Sequence, residues 1–350
     1  MIFNNKNNIL VTGAKGQLGS YLVRELSKIA FKKKSCIGQV LGIDIDDLDL
    51  THAIDVADFF NTAVIDPHVK IHYVIHCAAA TDTAAIEKDP LKYYASTVIG
   101  TRNVAESCAY NGIKMIHIST DYVMSELSPD GLHGNKIEFP VNQYGMHKLL
   151  AEKEAQVAYF KAGHPEKLLI GRLSWLFGNS HNSFVEKLLR GICKTYAKAV
   201  KCGESEAVHK VVDDAFGRPT PVSLVLSKIL NAIEDKSYGE EDFQYFHPQI
   251  TRLDWATMIW EEFCSECNNH DIKPSILCGM MNAVRLSGVK SDDLDLGMRH
   301  PGLVDTRFDH DMPCESSEYL YCTSLYVHEN FDFIVNEVML KTLKNEGVMS

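Results

Sequence analysis

The stretch "VTGAKGQLGS", residues 11–20, places three glycines directly after a β-branched run and at the start of a helical pattern. Gly13 permits a tight turn, Gly16 lets a pyrophosphate approach the backbone, and Gly19 allows a helix to pack closely on a sheet. The helix that starts at Gln17 and Leu18 offers free N–H groups and a partial positive charge to phosphates. The plainer alternative is a tight turn between strand and helix, and an acidic residue at the end of the second strand distinguishes the two.

That residue is Asp44, which ends the apolar run "VLGID". A carboxylate at this position accepts hydrogen bonds from both ribose hydroxyls of a dinucleotide and repels the additional phosphate of NADP. No arginine adjoins it, so the sequence predicts NAD(H) or NADP(H) as cofactor, with NAD(H) favoured. Ile45 is expected beside the ribose, and Asp55 and Val56 beside the adenine. An alternative for Asp55 is the cap of a helix.

Short β-branched runs alternate with helical patterns over the first half of the chain, and this alternation is typical of βαβ units. The runs are apolar on both faces, as in a parallel sheet covered by helices. The sequence therefore predicts an α/β fold: a Rossmann-type doubly wound parallel sheet with a smaller, mostly C-terminal α/β substrate lobe. We place the nucleotide-binding domain at 1–173, together with part of 205–235, and the lobe mainly at 174–350.

The chain has 350 residues and a formal net charge of -11, which argues against nucleic acid or an anionic membrane as partner. No stretch resembles a signal peptide or spans a bilayer, so we expect a cytoplasmic protein. Its ten cysteines are scattered, which indicates reduced thiols. Cys264 and Cys267 form a CxxC within a helical pattern. No second CxxC follows, so buried thiols are favoured over zinc and no metal is predicted.

Catalytic candidates lie in "QYGMHKLLAE", where Tyr144 and Lys148 are one helical turn apart and share a face. A phenol with an ordinary pKa of about 10 transfers protons poorly at neutral pH. A neighbouring ammonium favours the phenolate, so we expect Lys148 to lower the pKa of Tyr144. A surface tyrosine beside a surface lysine is the alternative. The glycine turn, the Ser/Thr cluster ending at Thr120 and this pair together form an ordered set.

The ordered set resembles the extended short-chain dehydrogenase/reductase superfamily. Further stretches, "STDYVM", "VNQYGMHK", "RLSWLFGNSHNSF" and "VVDDAFGRPT", are similar to the dTDP-4-dehydrorhamnose reductase family within it. The resemblance extends from about Ile9 to Pro221 and is thin afterwards. It departs from the family at Ala84 and Ala85, where the family has an Asp-Lys pair, and at Thr97, where it has Asn.

The resemblance implies a role for each matched residue. Thr120 would hydrogen-bond the C4 carbonyl oxygen of a nucleotide-linked 4-keto-6-deoxy sugar, Tyr144 would protonate that oxygen, and Lys148 would hold the nicotinamide ribose. Trp175 would contact the substrate, although a core tryptophan is the alternative. The remaining expected contacts are those to the cofactor at Ala78, Ala79, Ala80 and Thr97, and those to the substrate at Thr81, Asp121 and Asn182.

Tyr122 separates two reaction types within the superfamily. Sugar-nucleotide dehydratases resemble this stretch but carry Glu where Tyr122 stands, and a neutral phenol replaces a carboxylate base poorly. Carbonyl reduction is therefore favoured over dehydration. Two alternatives stay open: an NAD-dependent sugar-nucleotide epimerase, and a regulatory subunit like the β subunit of methionine adenosyltransferase. The expected partner is a small nucleotide sugar, and a homodimer is compatible with the resemblance.

Overall fold

A computed structural model describes residues 6–32, 35–65, 70–124, 140, 142–178, 183–243, 250–269, 275–290 and 317–349. These residues fall into two compact units. Unit 1 contains the described residues of 1–174 and 222–243, and unit 2 contains those of 175–221, 250–290 and 317–349. The assignment of the second unit to substrate binding stays a prediction.

Strands alternate with helices over the first half of the chain. In chain order they are β1 (Asn7–Thr12), β2 (Ile37–Ile43), β3 (Tyr73–His76), β4 (Lys114–Thr120), β5 (Leu168–Leu173), β6 (Leu176–Phe177), β7 (Ala207–Val212), β8 (Phe216–Gly217), β9 (Thr220–Pro221), β10 (Gly239–Asp242), β11 (Ile250–Thr251) and β12 (Val284–Val289).

The helices are α1 (Gln17–Ala30), α2 (Ala53–Ile65), α3 (Thr83–Lys88), α4 (Pro90–Tyr94), α5 (Gly100–Tyr110), α6 (Gln143–Lys161), α7 (Phe184–Cys202), α8 (Val222–Asp235), α9 (Arg252–Asn269), α10 (Ser275–Ala283), α11 (Ser317–Glu329), α12 (Phe331–Phe333) and α13 (Lys341–Asn345). Two π-helical segments, Ala95–Ile99 and Ile334–Leu340, continue their neighbouring α-helices. Within the described ranges, no helix combines the length and apolarity that crossing a membrane requires.

Unit 1 is built on a six-stranded parallel sheet in the order β10-β5-β4-β3-β1-β2. Helix α1 contacts α8, whereas α2 and α6 both contact α5, so the helices form two separate layers. Leu10, Val74 and Met115 are adjacent in register and fully buried, as expected for a sheet covered by helices. The predicted α/β fold with a Rossmann-type parallel sheet is confirmed. The strand order reverses between β1 and β3, and ligands of such sheets bind at the carboxyl ends beside that point.

Unit 2 is mostly helical around its own apolar core. Its core includes Leu189 and Ile192 of α7, Trp255 and Phe263 of α9, and Val338 of the second π-helical segment, all of them fully buried. Three two-stranded sheets complete the unit: β12 with β7, β11 with β8, and β6 with β9.

The sequence pattern predicts a helix around Tyr93 to Tyr110, and the chain is helical there, with the π-helical segment Ala95–Ile99 between α4 and α5. The run "KLLIGRLSWLFG" predicts one strand, which is wrong: the strand breaks between β5 and β6, where Trp175 has φ 37°. That left-handed conformation is rare for a bulky residue and ends a strand.

Candidate active site

The glycine turn after β1 has the geometry of a phosphate cradle. Gly13 has φ +67°, and a Cβ there would lie 2.9 Å from Cα of Ala78. A Cβ at Gly19 would lie 2.1 Å from the carbonyl oxygen of Gly13, so only glycine permits this approach of helix and turn. No side chain caps the N-terminus of α1 at Gly16. Helix α1 begins at Gln17 and Leu18, directly after the turn, so its positive N-terminal end lies beside the cradle, which fits a dinucleotide pyrophosphate.

Asp44 lies at the carboxyl end of β2 and is tied to the glycine turn. Its Oδ2 accepts a hydrogen bond from the Lys15 N–H at 2.7 Å, and its Oδ1 accepts one from the Ile45 N–H at 2.9 Å. A carboxylate accepts about four hydrogen bonds, so capacity for ribose hydroxyls is left. The side chain of Lys15 forms an exposed ion pair with Asp46. The Lys15 ammonium of the glycine turn therefore lies beside Asp46, two residues after Asp44, although no basic residue is adjacent to Asp44 in the sequence.

The adenine candidates have different surroundings. Asp55 is exposed in the first turn of α2 and lies 3.6 Å from His52, atom Oδ2 to Nδ1. Val56 is fully buried in the core of unit 1, so its side chain packs against the sheet. Ile45 is 68% exposed and thus presents an apolar surface at the end of β2.

The loop after β3 is held by two buried hydroxyls. The Ala78 N–H donates to Thr12 Oγ1 at 3.3 Å, and the Ala80 N–H donates to Thr97 Oγ1 at 3.1 Å. Thr97 is fully buried in the first π-helical segment, and such segments are frequent at functional sites. Its hydroxyl orders the loop from beneath, whereas Ala79 and Ala80 are partly exposed and Thr81 is exposed.

The predicted catalytic residues come together at the carboxyl end of β4. Thr120 is the last residue of β4, and its hydroxyl lies close enough to the Tyr144 phenol to influence its pKa. Asn142 caps α6 by accepting from the Gly145 N–H at 2.8 Å. A Cβ at Gly145 would lie 2.2 Å from the Tyr122 carbonyl oxygen, so glycine here lets α6 approach the strand end. This approach explains why a glycine follows Tyr144.

A second contact at the N-terminus of α6, made by another helix, was not predicted from the sequence. Glu87 of α3 accepts a hydrogen bond from the Gln143 N–H at 3.0 Å. A carboxylate at a helix N-terminus also interacts favourably with the helix dipole. The contact joins segments far apart in sequence and leaves no local signal.

Lys148 is buried, with 3% of its surface exposed. Its Nζ donates to the Ile118 carbonyl oxygen at 2.7 Å and lies 3.4 Å from His117 Nε2. Burial lowers the pKa of Lys148 to about 8, although Glu152 and Cys77 oppose the shift. Lys148 is therefore still largely an ammonium at neutral pH, and it is hydrogen-bonded to the backbone of β4.

The expected lowering of the Tyr144 pKa is wrong for the protein itself. Burial raises the pKa of Tyr144 well above its ordinary value, and Tyr122 and Asp121 raise it further, while the hydrogen bond with Thr120 opposes them. Lys148 does not reverse this effect because its ammonium is directed at β4. Tyr144 is thus a phenol throughout the physiological pH range, the form that donates a proton.

Asp121 and Tyr122 complete the strand end. Asp121 is 3% exposed, and its Oδ1 accepts from the Thr120 hydroxyl at 3.2 Å. The rings of Tyr122 and Tyr144 pack edge to face with centroids 6.2 Å apart. Asp121 therefore orients Thr120, in addition to being a predicted substrate contact.

In unit 2, Trp175 lies in an aromatic stack. Its ring stacks on Trp255 with centroids 5.7 Å apart, and the Arg252 guanidinium lies 3.8 Å from its centroid. Phe184 stacks on Trp255 as well. The alternative of a packed tryptophan thus has direct structural support, and the substrate contact stays a prediction. Asn182 lies outside the described residues.

The cysteines of α9 have the character of buried thiols. Burial raises the pKa of both Cys264 and Cys267 to about 12, which keeps them protonated. Among the described residues, no cluster of three or more His, Cys, Asp or Glu side chains has the arrangement of a metal site.

Comparison with known proteins adds independent findings. The family model described as "RmlD substrate binding domain" matches residues 7–277. A dTDP-4-dehydrorhamnose reductase of Aggregatibacter actinomycetemcomitans is 28% identical over 259 residues, which cover 73% of this chain and 78% of the relative.

Two solved structures align over nearly the whole chain. A dTDP-4-dehydrorhamnose reductase of Clostridium acetobutylicum is 25% identical with TM-score 0.65, covering 92% of this chain and 98% of the other. The enzyme of Bacillus anthracis, solved in complex with NADP, is 24% identical with TM-score 0.67, covering 93% and 99%. The second likeness concerns the fold alone.

Proposed function

Because the chain belongs to the RmlD substrate-binding domain family, we propose that it is an NAD(P)H-dependent reductase of a nucleotide-linked 4-keto-6-deoxy sugar. The observation that carries the proposal is geometric: Thr120 ends β4, Tyr144 and Lys148 share one face of α6, and the Lys148 ammonium is hydrogen-bonded to the Ile118 carbonyl oxygen of the same strand. The names of the similar proteins support the same substrate class.

Reduction requires a hydride at C4 and a proton on the carbonyl oxygen. A reduced nicotinamide, held by the glycine turn and Lys148, would supply the hydride when bound. The phenol of Tyr144 donates its proton to the oxygen as negative charge develops there, and the Thr120 hydroxyl turns from Asp121 to donate a hydrogen bond to the same oxygen. Lys148 remains an ammonium near neutral pH and would bind the nicotinamide ribose.

The pH dependence follows from these proton positions. Tyr144 keeps its proton because its pKa is raised, so it sets no limit near neutrality. Lys148 has its pKa lowered to about 8 and loses its positive charge above that pH. We therefore expect kcat/KM to fall as pH rises through about 8, since kcat/KM reports the ionisations of the free enzyme.

For the cofactor, we propose NADH in preference to NADPH. The Asp44 carboxylate lies at the carboxyl end of β2 and is hydrogen-bonded to the glycine turn, where it would repel a 2′-phosphate, and this supports the choice. Lys15 weakens the discrimination, since its ammonium stands beside Asp46 on the turn. Some use of NADPH is therefore expected.

The two alternatives are less well supported. An epimerase would share the roles of Thr120, Tyr144 and Lys148, and a regulatory subunit would share the fold. Three proteins that are similar to this chain in sequence, however, are named as reductases. Substrate contacts by Thr81, Asp121, Trp175 and Asn182 stay predictions, as do a cytoplasmic location and a homodimer.

The test is oxidation of NADH and NADPH in the presence of dTDP-, UDP- and GDP-linked 4-keto-6-deoxy sugars. We expect turnover with at least one sugar and none in Tyr144→Phe. Interconversion of sugars without added NADH would instead identify an epimerase. Absence of turnover together with binding to a methionine adenosyltransferase catalytic subunit would identify a regulatory subunit.

A further inference from the structure

A row of polar residues crosses three neighbouring strands beneath the candidate site. Thr12 of β1, His76 of β3 and His117 of β4 are register partners and are all buried. The two imidazole rings stack with centroids 5.4 Å apart and planes inclined by 25°. Neither histidine belongs to the catalytic set that the resemblance implies.

The hydrogen bonds around His76 determine which nitrogen carries its proton. The Thr101 hydroxyl donates to the Thr97 carbonyl oxygen at 2.6 Å, so toward His76 Nε2, 3.0 Å away, it is an acceptor. Nε2 therefore carries the hydrogen. Nδ1 accepts from the Thr12 hydroxyl at 2.8 Å, and the Thr12 oxygen in turn accepts the Ala78 N–H.

His117 has the opposite requirement. Burial, Lys148 and His76 lower the pKa of His117 well below its ordinary value, so the ring is neutral and carries a single N–H. An ammonium only donates hydrogen bonds, so the nitrogen that faces Lys148 Nζ at 3.4 Å, Nε2, is the acceptor. The proton of His117 is then on Nδ1.

We propose that His117, in its Nδ1–H tautomer, is a positioning residue that fixes the direction of the Lys148 ammonium, opposite in tautomer to the His76 ring stacked on it. The proposal rests on the proposed role of Lys148. A lysine ammonium is a point charge with three donors on a flexible stem. Ile118 and His117 take two of the three, which leaves the third donor for the dinucleotide ribose of the proposed function.

Other ionisable groups act on the same ammonium. Glu152, one helical turn further along α6, and Cys77 after β3 both raise the pKa of Lys148. Glu152 is itself paired with Arg172 of β5, and Tyr144 lies one turn earlier on α6. His117 differs from these groups because it accepts a hydrogen bond from Nζ itself, so it restrains position as well as charge.

The first test is an NMR correlation spectrum of 15N-labelled histidines in the full-length protein without sugar. We expect a neutral His76 protonated on Nε2 and a neutral His117 protonated on Nδ1 near pH 7. A His117 ring protonated on Nε2 would overturn the proposal. Because this measurement involves no turnover, its result is independent of whether the reductase function is correct.

The second test compares three variants for NADH binding and for the pH profile of kcat/KM. His117→Phe keeps a ring but removes the acceptor. We expect kcat/KM to fall about 10- to 100-fold and its alkaline limb to move to lower pH, because a displaced, less stabilised ammonium ionises earlier. His117→Gln restores an acceptor and is expected to recover most of the loss.

His147→Phe is the matched control. His147 is buried on the same helix and packs against Tyr94, but its ring is not hydrogen-bonded to Lys148. We expect this variant to lose stability without moving the alkaline limb. Equal pH profiles for His117→Phe and His147→Phe would refute a positioning role, and if His117→Phe does not fold, His117→Gln and the tautomer measurement decide.

Discussion

The strand-end cluster of unit 1 (Thr120, Tyr144, Lys148) and the aromatic stack of unit 2 (Trp175, Trp255) hold their side chains by different forces. In the cluster, polar groups from several elements are buried and hydrogen-bonded to one another. In the stack, an indole is held by ring packing and by the Arg252 guanidinium. Directional hydrogen bonds define where protons are, whereas stacking defines only a surface, so the cluster alone implies a reaction type.

The two regions also differ in how they bury charge. Glu152 and Arg172 form a buried ion pair behind Lys148, with 0% and 5% of their side chains exposed. The buried Glu186 of unit 2 is bonded instead to the hydroxyls of Ser183 and Tyr326. The following substitutions test whether the cluster and the stack serve the different purposes that these contacts suggest.

The largest effect is expected from Tyr144→Phe. The variant removes only the proton that reaches the carbonyl oxygen, so kcat should fall by about 10²- to 10⁴-fold while NADH binding is retained. Tyr122→Phe is the matched control, because it removes the phenol of the ring that packs edge to face on Tyr144 and leaves Tyr144 unchanged. Equal losses in the two variants would mean that Tyr144 is not the proton donor.

Arg172→Leu should have the second largest effect, and it concerns stability. The variant leaves the Glu152 carboxylate buried without its cation, which costs about 3–5 kcal/mol of unfolding free energy. Denaturant titration measures the loss. Arg172→Leu combined with Glu152→Leu should recover most of it, whereas Lys341→Ala, which removes an exposed pair with Glu337, should cost less than about 0.5 kcal/mol. A cost for Arg172→Leu as small as that of the exposed pair would show that burial does not strengthen this ion pair.

Much of unit 1 could be predicted from the sequence because its signals are local. The apolar pattern of the sequence predicts helices at 222–235 and near 144–160; α8 has the first pair of bounds, and α6 extends one residue beyond each end of the second. The contacts that tune the site could not be predicted, because they join distant segments. Arg172 meets Glu152 across a strand and a helix, and the pKa of Tyr144 depends on burial that a sequence does not display.

The surroundings of Trp175 could not be predicted from the sequence for the same reason. Its family motif was recognised, but a positive φ and a stack on Trp255 arise from packing between elements that the pattern of "RLSWLFG" does not encode. Position 217 probes this packing, since a Cβ at Gly217 would lie 2.3 Å from Cε2 of the Trp175 ring.

Gly217→Ala is therefore expected to displace the Trp175 ring and to cost about 1–3 kcal/mol of stability. The double variant with Trp175→Phe, whose ring is smaller, should recover part of this cost. If Trp175 also contacts the sugar, KM for the sugar rises in Gly217→Ala while NADH affinity is unchanged. An unchanged KM despite a displaced ring would assign Trp175 to the core alone.

The smallest effect is expected at the glycine turn. Two features of unit 1 are expected to bind the cofactor there: the backbone of the turn and the charge of Asp44. Asp44→Asn keeps an acceptor for the Lys15 N–H but removes the charge that repels a 2′-phosphate. A charge interaction of about 1–2 kcal/mol near a surface corresponds to a rise of roughly 5- to 30-fold in the preference for NADPH over NADH. Asp49→Asn removes the same charge five residues further along, where the carboxylate caps Thr51, and should leave the preference unchanged. Equal shifts in both variants would show that net charge around the turn, rather than the placement of Asp44, selects the cofactor.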